Sequence, residues 1–304
     1  MNLITWYSIG IFSLLQIGSL SSSVWAQNFA EAGFENLTLT IVAAKPQFPS
    51  LEPLTLEIVV QNKTAYPIKG HAGLCLKCER LELFRGRVGE PRTKIPELTG
   101  LRALIFIDEK VIQPGEIIRE RVLFEFDLHT NFPEPRPYRL HAVLYDLKKQ
   151  TFVESKPITI VIIEPQGIDR LALKHLEDLY NGQAEKFWMR GSLEDNEEFM
   201  LLFNDATYAP YVADSLAAFY SSRNPDKAIE YLEFEAGRSH YPWADKALRD
   251  LFGLHQKLGQ KAKSELIVER LKQNYPDSPY TRGFLDDEEY LEKLRSRLKN
   301  RETE

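Results

Sequence analysis

A chain of 304 residues has room for about two domains, and 43% hydrophobic with 27% charged residues lets each bury a core. Its net charge of −6 excludes nucleic acid as the main partner, because phosphate binding needs a surplus of clustered Lys and Arg. Residues 4–20 are apolar and uncharged, on the short side for a membrane span of roughly 20 residues. Ser21-Ser22-Ser23-Val24-Trp25-Ala26 follows. Val24 and Ala26 are small enough for the −3 and −1 sites of a signal peptidase, which predicts a signal peptide over 1–26, cleaved after Ala26. Met1-Asn2-Leu3 carries no Lys or Arg, so an uncleaved anchor is the alternative. With no Cys near the cleavage point, a lipoprotein anchor is excluded. The expected location is periplasmic or secreted, with no integral membrane span after cleavage.

From 37 to 163 the pattern is that of strands. Leu37-Thr38-Leu39-Thr40-Ile41-Val42 and Leu54-Thr55-Leu56-Glu57-Ile58-Val59-Val60 alternate with period two. Further runs lie at 81–84, 104–107, 117–126, 138–145 and 158–162. Pro49-Ser50, Gln113-Pro114-Gly115-Glu116 and Phe132-Pro133-Glu134-Pro135 mark turns between them. About seven short strands at this spacing predict an antiparallel β-sandwich, each strand wet on one face. The arrangement resembles an immunoglobulin- or fibronectin-type (Ig-like) domain. Tyr138 then stands where such folds place a Tyr whose hydroxyl pins the preceding corner.

Glu164-Pro165-Gln166-Gly167 marks the boundary between two expected domains, 37–163 and 168–304. Beyond it the hydrophobic period becomes helical, with Ile168, Leu171, Leu176 and Leu179. Residues 286–300 read as a charged capping helix. Ala228 and Ala262, Leu232 and Leu266, Tyr241 and Tyr275, and Pro242 and Pro276 are each 34 residues apart. Thirty-four is the tetratricopeptide period, and the segment 208–278 resembles tetratricopeptide repeats (TPR-like) of the bacterial envelope type. In the unit 245–278, Leu251, Ser264 and Pro276 suit the family pattern. Phe252 and Leu271 are larger than it prefers, which predicts helices that sit further apart or tilt. The chain thus reads as a multidomain β + α protein, an Ig-like sandwich followed by a TPR-like array of α-helical hairpins. The resemblance implies a concave groove lined by the first helices that binds a protein or peptide partner. Lys246, Arg249, Gln256 and Asp214 stand at its binding positions, where Lys and Arg would hold a partner's carboxylates or backbone.

Chemistry beyond this is sparse. Cys75-Leu76-Lys77-Cys78 are the chain's two cysteines in one motif, a disulfide candidate in an exported chain. Unpaired thiols, half of a zinc site or a redox pair are the alternatives. No metal site is expected, because the six His form no pair at ligand spacing. No catalytic motif or phosphate-binding loop is found, so neither enzyme activity nor a cofactor is expected. Gly86-Arg87-Val88-Gly89 reads as a hairpin turn, and the acidic run 193–198 as a helix start. Asn36-Leu37-Thr38 and Asn62-Lys63-Thr64 are glycosylation sequons. The reading that follows is an exported, non-enzymatic interaction or scaffold protein. A protease inhibitor acting through the sandwich loops is the alternative.

Overall fold

The computed structural model describes residues 33–71, 81–86, 90–95, 109–124, 131–146, 150–179 and 191–284. The expected signal peptide, the strand at 104–107, the turn residues 87–89, the pair Cys75 and Cys78, and the terminal helix at 286–300 lie outside the described residues. The rest is a mixed β + α protein, with strands up to Ile163 and helices from Gly167 onward. In chain order the strands are β1 (Leu37–Ala43), β2 (Gln47–Pro49), β3 (Leu54–Asn62), β4 (Ile68–His71), β5 (Leu81–Gly86) and β6 (Thr93–Lys94). They continue with β7 (Glu109–Ile112), β8 (Ile117–Phe124), β9 (Pro137–Tyr145), β10 (Phe152–Glu154) and β11 (Ile158–Ile163).

β1, β3 and β8 form a three-stranded antiparallel sheet, with Ile41 opposite Ile58 and Glu57 opposite Arg121. A six-stranded sheet runs β2-β11-β9-β5-β6, with β10 also paired to β9. It is antiparallel except where β2 joins β11 in parallel. β4 and β7 make a separate two-stranded ribbon. The period-two pattern sets which side chains go inward: Leu37, Leu39 and Ile41 of β1 and Leu54, Leu56, Ile58 and Val60 of β3 are buried. They share one core with Leu81, Leu83, Tyr138, Leu140, Leu144, Ile160 and Ile162 of the larger sheet. The turns follow their sequence chemistry. Gly115 has φ +78°, and Glu116 N–H donates to Gln113 O at 2.9 Å. The Tyr138 hydroxyl donates to Glu134 O at 3.0 Å, fixing the approach to β9. Asn62 is fully buried; its Nδ2 donates to Tyr66 O and Ile112 O while Oδ1 accepts from Thr64 N–H. That amide is spent inside the fold, so the second sequon is not a glycosylation acceptor, whereas Asn36 of the first is exposed.

The helices are α1 (Gly167–Leu179), α2 (Leu193–Phe203), α3 (Ala209–Tyr220), α4 (Pro225–Ala236), α5 (Ala244–Lys257) and α6 (Lys261–Asn274), and residues 279–284 are again helical. Each packs chiefly on its neighbours in sequence. Ser192 and Asp195 close a capping box at the start of α2, where the acidic run stands. Asn224 caps α4, with Pro225 at its first position. Burial does not follow the 34-residue spacing. Between α3 and α5, positions 35 apart are buried together: Ala209 with Ala244, Val212 with Ala247, Ala213 with Leu248, Leu216 with Leu251. Between α4 and α6, buried Ala228 corresponds to buried Ser264, 36 residues on. Ala262 and Leu266, partners in the 34-residue spacing, are exposed. The bulky Phe252 is accommodated by a partner ring, packing edge-on against Phe284 at 4.6 Å between centroids.

Side chains at helix starts tie this region to the β region. Arg121 on the outer face of β8 donates from Nη1 to Asp245 Oδ1 and from Nη2 to Asp245 Oδ2, both at 2.6 Å, and from Nη1 to Pro242 O at 2.7 Å. Ser278 Oγ donates to the same carboxylate at 2.6 Å. Burial opposes ionisation of Asp245, but the bonds from Arg121 and Ser278 hold it below its ordinary range. Trp243 Nε1 donates to Thr55 Oγ1 at 3.0 Å and Tyr208 Oη to Ser50 O at 2.7 Å. Beside Ser50, Leu51 takes φ +65°. The buried Glu52 then meets Lys45 Nζ at 2.6 Å and accepts from Tyr211 Oη at 3.3 Å. Burial lifts the Glu52 carboxyl to about 7, against the pull of Lys45 and Tyr211.

Candidate functional site

A cleft of about 460 Å³ lies between α3 and α5, floored by Leu232 of α4. Asp214, Lys246 and Arg249 line it, together with Asp250, Gly253, Leu254 and Lys257 of α5 and Ala217, Ala218 and Ser221 of α3. The walls change character along α5. At the N-terminal end Lys246 Nζ is 2.7 Å from Asp214 Oδ1 and 3.1 Å from Asp250 Oδ2. Burial alone would lower the Lys246 ammonium, but Asp214 and Asp250 outweigh it and raise it above its ordinary value. Arg249 Nε meets Asp250 Oδ1 at 3.0 Å, and its guanidinium lies 5.1 Å from the centre of the Tyr280 ring. The middle is small and apolar: a Cβ on Gly253 would meet no atom within 4 Å. Lys257, in the last turn of α5, forms no ion pair with the described residues.

Under the N-terminal end lies Glu235 of α4, only 1% exposed, whose Oε1 has no hydrogen-bond partner among the described residues. Burial, with Asp214 and Asp250 adding and Lys246 opposing, pushes its carboxyl well above the ordinary range. Ionisation of Glu235 is thus opposed beneath a wall on which two carboxylates, Asp214 and Asp250, meet two cations, Lys246 and Arg249.

The structure thus brings three of the four expected residues, Asp214, Lys246 and Arg249, into one cleft. Gln256 is turned away, its Nε2 donating to Ser264 Oγ of α6 at 2.6 Å. Lys246 and Arg249 are engaged with Asp214 and Asp250 rather than standing as unpaired cations. Asp250 was missed, and its i+4 spacing from Lys246 is the signal that could have found it. Glu235 had no signal, since an acidic residue on a helix reads as solvated until its neighbours are placed.

A smaller cavity, about 290 Å³, opens on the larger sheet beside Gly86, Arg92, Arg139, His141 and Glu154. Arg92 Nη1 lies 2.9 Å from His141 Nε2 and 2.5 Å from Glu154 Oε1, and the Phe84 ring stacks on His141 at 5.0 Å. Burial lowers the His141 imidazole, with Arg92 and Arg139 adding to it and Glu154 opposing. A neutral His141 accepts at Nε2 from Arg92. The cluster closes on itself as a polar tie between β9, β10 and the residue preceding β6. No cluster of three or more metal-ligating side chains occurs among the described residues. No helix among them is long and apolar enough to cross a membrane.

No protein-family model matches the chain, and no curated protein matches it. Partial likenesses to solved structures exist. A β-glucosidase from Listeria innocua in complex with laminaribiose is 10% identical at a TM-score of 0.26, over 42% of this chain and 16% of that one. The Bacillus subtilis sporulation control protein Spo0M is 14% identical at 0.29, over 47% and 56%. The CARDB domain of the Pyrococcus furiosus PF1109 protein is 11% identical at 0.26, over 43% and 98%. This chain spans only 16% of the Listeria enzyme's length, and at these scores none of the likenesses carries an argument about fold or function.

Proposed function

We propose that the chain is an exported, non-enzymatic interaction protein: an Ig-like sandwich followed by TPR-like helix pairs, holding a segment of a protein partner between α3 and α5. The observation that carries this is the cleft itself, which lies between the first helices of successive pairs and is lined by side chains from both. Helices that pack on their sequence neighbours form a continuous core and leave such a face open. From Lys246 to Lys257, α5 rises about 16 Å at 1.5 Å per residue. That length holds roughly five residues of extended chain at about 3.3 Å each.

Filling the cleft is the test. Gly253→Phe puts a ring into the open middle of the groove, where a Cβ meets nothing. Captured partners from an envelope extract of the native host are compared between the parent and this variant. The expected result is a partner recovered by the parent and lost at least tenfold with Gly253→Phe, while helicity and melting temperature are kept. Equal recovery by a folded Gly253→Phe would remove the groove from the function. Lys246→Ala is a poorer probe, because it removes the cation that links Asp214 of α3 to Asp250 of α5 and so disturbs the helix packing as well as the groove. Export is read separately: N-terminal sequencing from the host should begin at Gln27, and an intact Met1 on membrane-bound protein would overturn it.

A further inference from the structure

We infer that the chain carries a second docking surface, the outward face of α2 formed by Leu201, Leu202, Glu194 and Glu198, and that it takes a basic amphipathic helix of a partner protein.

Residues 199–203, Phe-Met-Leu-Leu-Phe, are apolar without a break. Successive helical residues turn by about 100°, so these five cover the whole circumference of α2. A helix packed on one side only carries polar residues on the other, and one that is apolar all round is covered all round. Phe199 and Met200 are buried, and Phe203 packs against the same helical core. Leu201 and Leu202 lie outside it, 81% and 50% exposed. They are not a scattered pair. Of the twelve exposed large hydrophobic side chains among the described residues, five lie on α1 and α2: Ile168, Leu171, Leu179, Leu201 and Leu202. These helices open the helical region, where a stacked array ordinarily presents a polar end.

Charge identifies the occupant. Glu198 and Glu194 stand one and two turns before Leu201, on its face of the helix. Both are exposed, and neither carboxylate has an ion pair or hydrogen bond with the described residues. The other acids of α2 are engaged: Asp195 closes the capping box with Ser192, and Glu197 accepts from Tyr220 Oη and Lys227 Nζ. Glu194 also complements the positive end of the helix dipole, but Glu198 lies beyond the first turn to which that effect is confined. Two unmatched carboxylates therefore adjoin two uncovered leucines. A second copy offering the same face would set carboxylates against carboxylates or leucines, and an anionic bilayer would be repelled. A helix with adjacent apolar side chains and Lys or Arg one and two turns further on covers the leucines and neutralises both acids. Running antiparallel to α2, it also brings its own C-terminal end, which favours cations, to the acidic first turns of α2. None of the four residues lines the cleft between α3 and α5, so the two surfaces are tested separately.

The full mature chain is titrated with the fluorescein-labelled peptide Ala-Ala-Leu-Leu-Ala-Ala-Lys-Ala-Ala-Ala-Lys-Ala and with its counterpart carrying Glu for both Lys, read by anisotropy. The lysine peptide is expected to bind at least tenfold more tightly. Leu201→Gln with Leu202→Gln keeps good helix formers at exposed positions and should weaken binding at least tenfold, with circular dichroism unchanged. Glu194→Gln with Glu198→Gln should weaken it at least fivefold. Asp226→Asn with Glu230→Gln removes the same charge at the same spacing from the exposed side of α4 and should leave binding within twofold. Equal losses from the two acidic pairs would mean attraction to net charge alone and would overturn the proposal. Binding that ignores the leucine changes, or no binding at millimolar concentration, would overturn it too. Gly253→Phe should leave the lysine peptide bound; a tenfold loss would put the peptide in the cleft instead and refute the α2 face. Sedimentation of the chain alone and pelleting with phosphatidylglycerol vesicles test the other occupants. Self-association or vesicle binding abolished by the leucine changes would replace the partner helix with a second copy or a bilayer.

Discussion

Arg121 and Asp245 carry the densest hydrogen bonding between the β and helical regions, and their value depends on both being present. Removing one partner of a buried ion pair strands the other, which costs roughly 3–5 kcal/mol, whereas removing both costs much less. Arg121→Ala leaves the Asp245 carboxylate buried with only Ser278 and a backbone N–H. Urea unfolding of Arg121→Ala, Asp245→Ala and the double variant should show a strong positive coupling. Additive losses would mean that the two side chains act independently. Glu52 gives a pH signature of the opposite kind. Its carboxyl is raised from an ordinary 4.5 to about 7, so its contribution is fully present below pH 4.5 and is lost as pH rises through 7. Glu52→Gln removes that loss. Between pH 5 and pH 9 the stability of the variant relative to the parent should rise by roughly 2–3 kcal/mol; parallel stability curves would refute the shift. None of these three residues announced itself in the sequence. Arg121 and Asp245 lie 124 positions apart, and only the strand register and helix phase bring them together. Asn62 shows the same limit from the other side, since a local sequon pattern gave no hint that its amide is consumed by Tyr66 and Ile112.

At the level of elements, the longer strands were legible because alternation and burial coincide. In β3 the even-numbered residues Leu54, Leu56, Ile58 and Val60 face inward, with Thr55 the odd position also closed off, by Trp243. The shortest strands were not legible. β2, β6 and β10 have two or three residues, too few to show a period. β10 and β11 lie along the same strand of the sheet, with Ser155 between them supplying Oγ to the Ala142 N–H, and that break has no pattern of its own. The helical content beyond 167 was legible, but the burial phase of the helices was not: exposed Ala262 and Leu266 copied the letters of buried Ala228 and Leu232. Sequence spacing cannot tell a buried alanine from an exposed one. Within α5, Gly253 sits in the helix interior with open space about it. Gly253→Ala should stabilise the chain by about 0.5–1 kcal/mol, since alanine loses less backbone entropy in a helix. Thermal melting checks this, and a destabilised Ala variant would show that the position is tighter than it looks. The repeat pattern grouped Asp214, Lys246 and Arg249, which line one cleft, but the charge balance of that cleft also involves Asp250 and Glu235.

For the molecule as a whole, the boundary at 164–167 and the contacts that cross over it make a joint prediction. Expressed alone, 27–165 should be β-rich and 168–304 helical by circular dichroism. Each should melt below the intact chain, because Arg121, Trp243 and Tyr208 lose partners in the other piece. Mixing the two should recover part of the lost melting temperature. Loss of structure in both fragments would instead make the chain one cooperative unit. The start of α5 carries a further consequence. Asp245 is held by the β region, and the next residue, Lys246, faces the cleft. Successive helical residues differ by about 100° in direction, so two adjacent positions fix the rotation of the whole helix. One residue inserted between them would swing Arg249, Asp250 and Lys257 about a quarter-turn away from the cleft while Asp245 stayed anchored. Length variation in this protein should therefore collect in its connecting loops and be excluded from the first turns of α5.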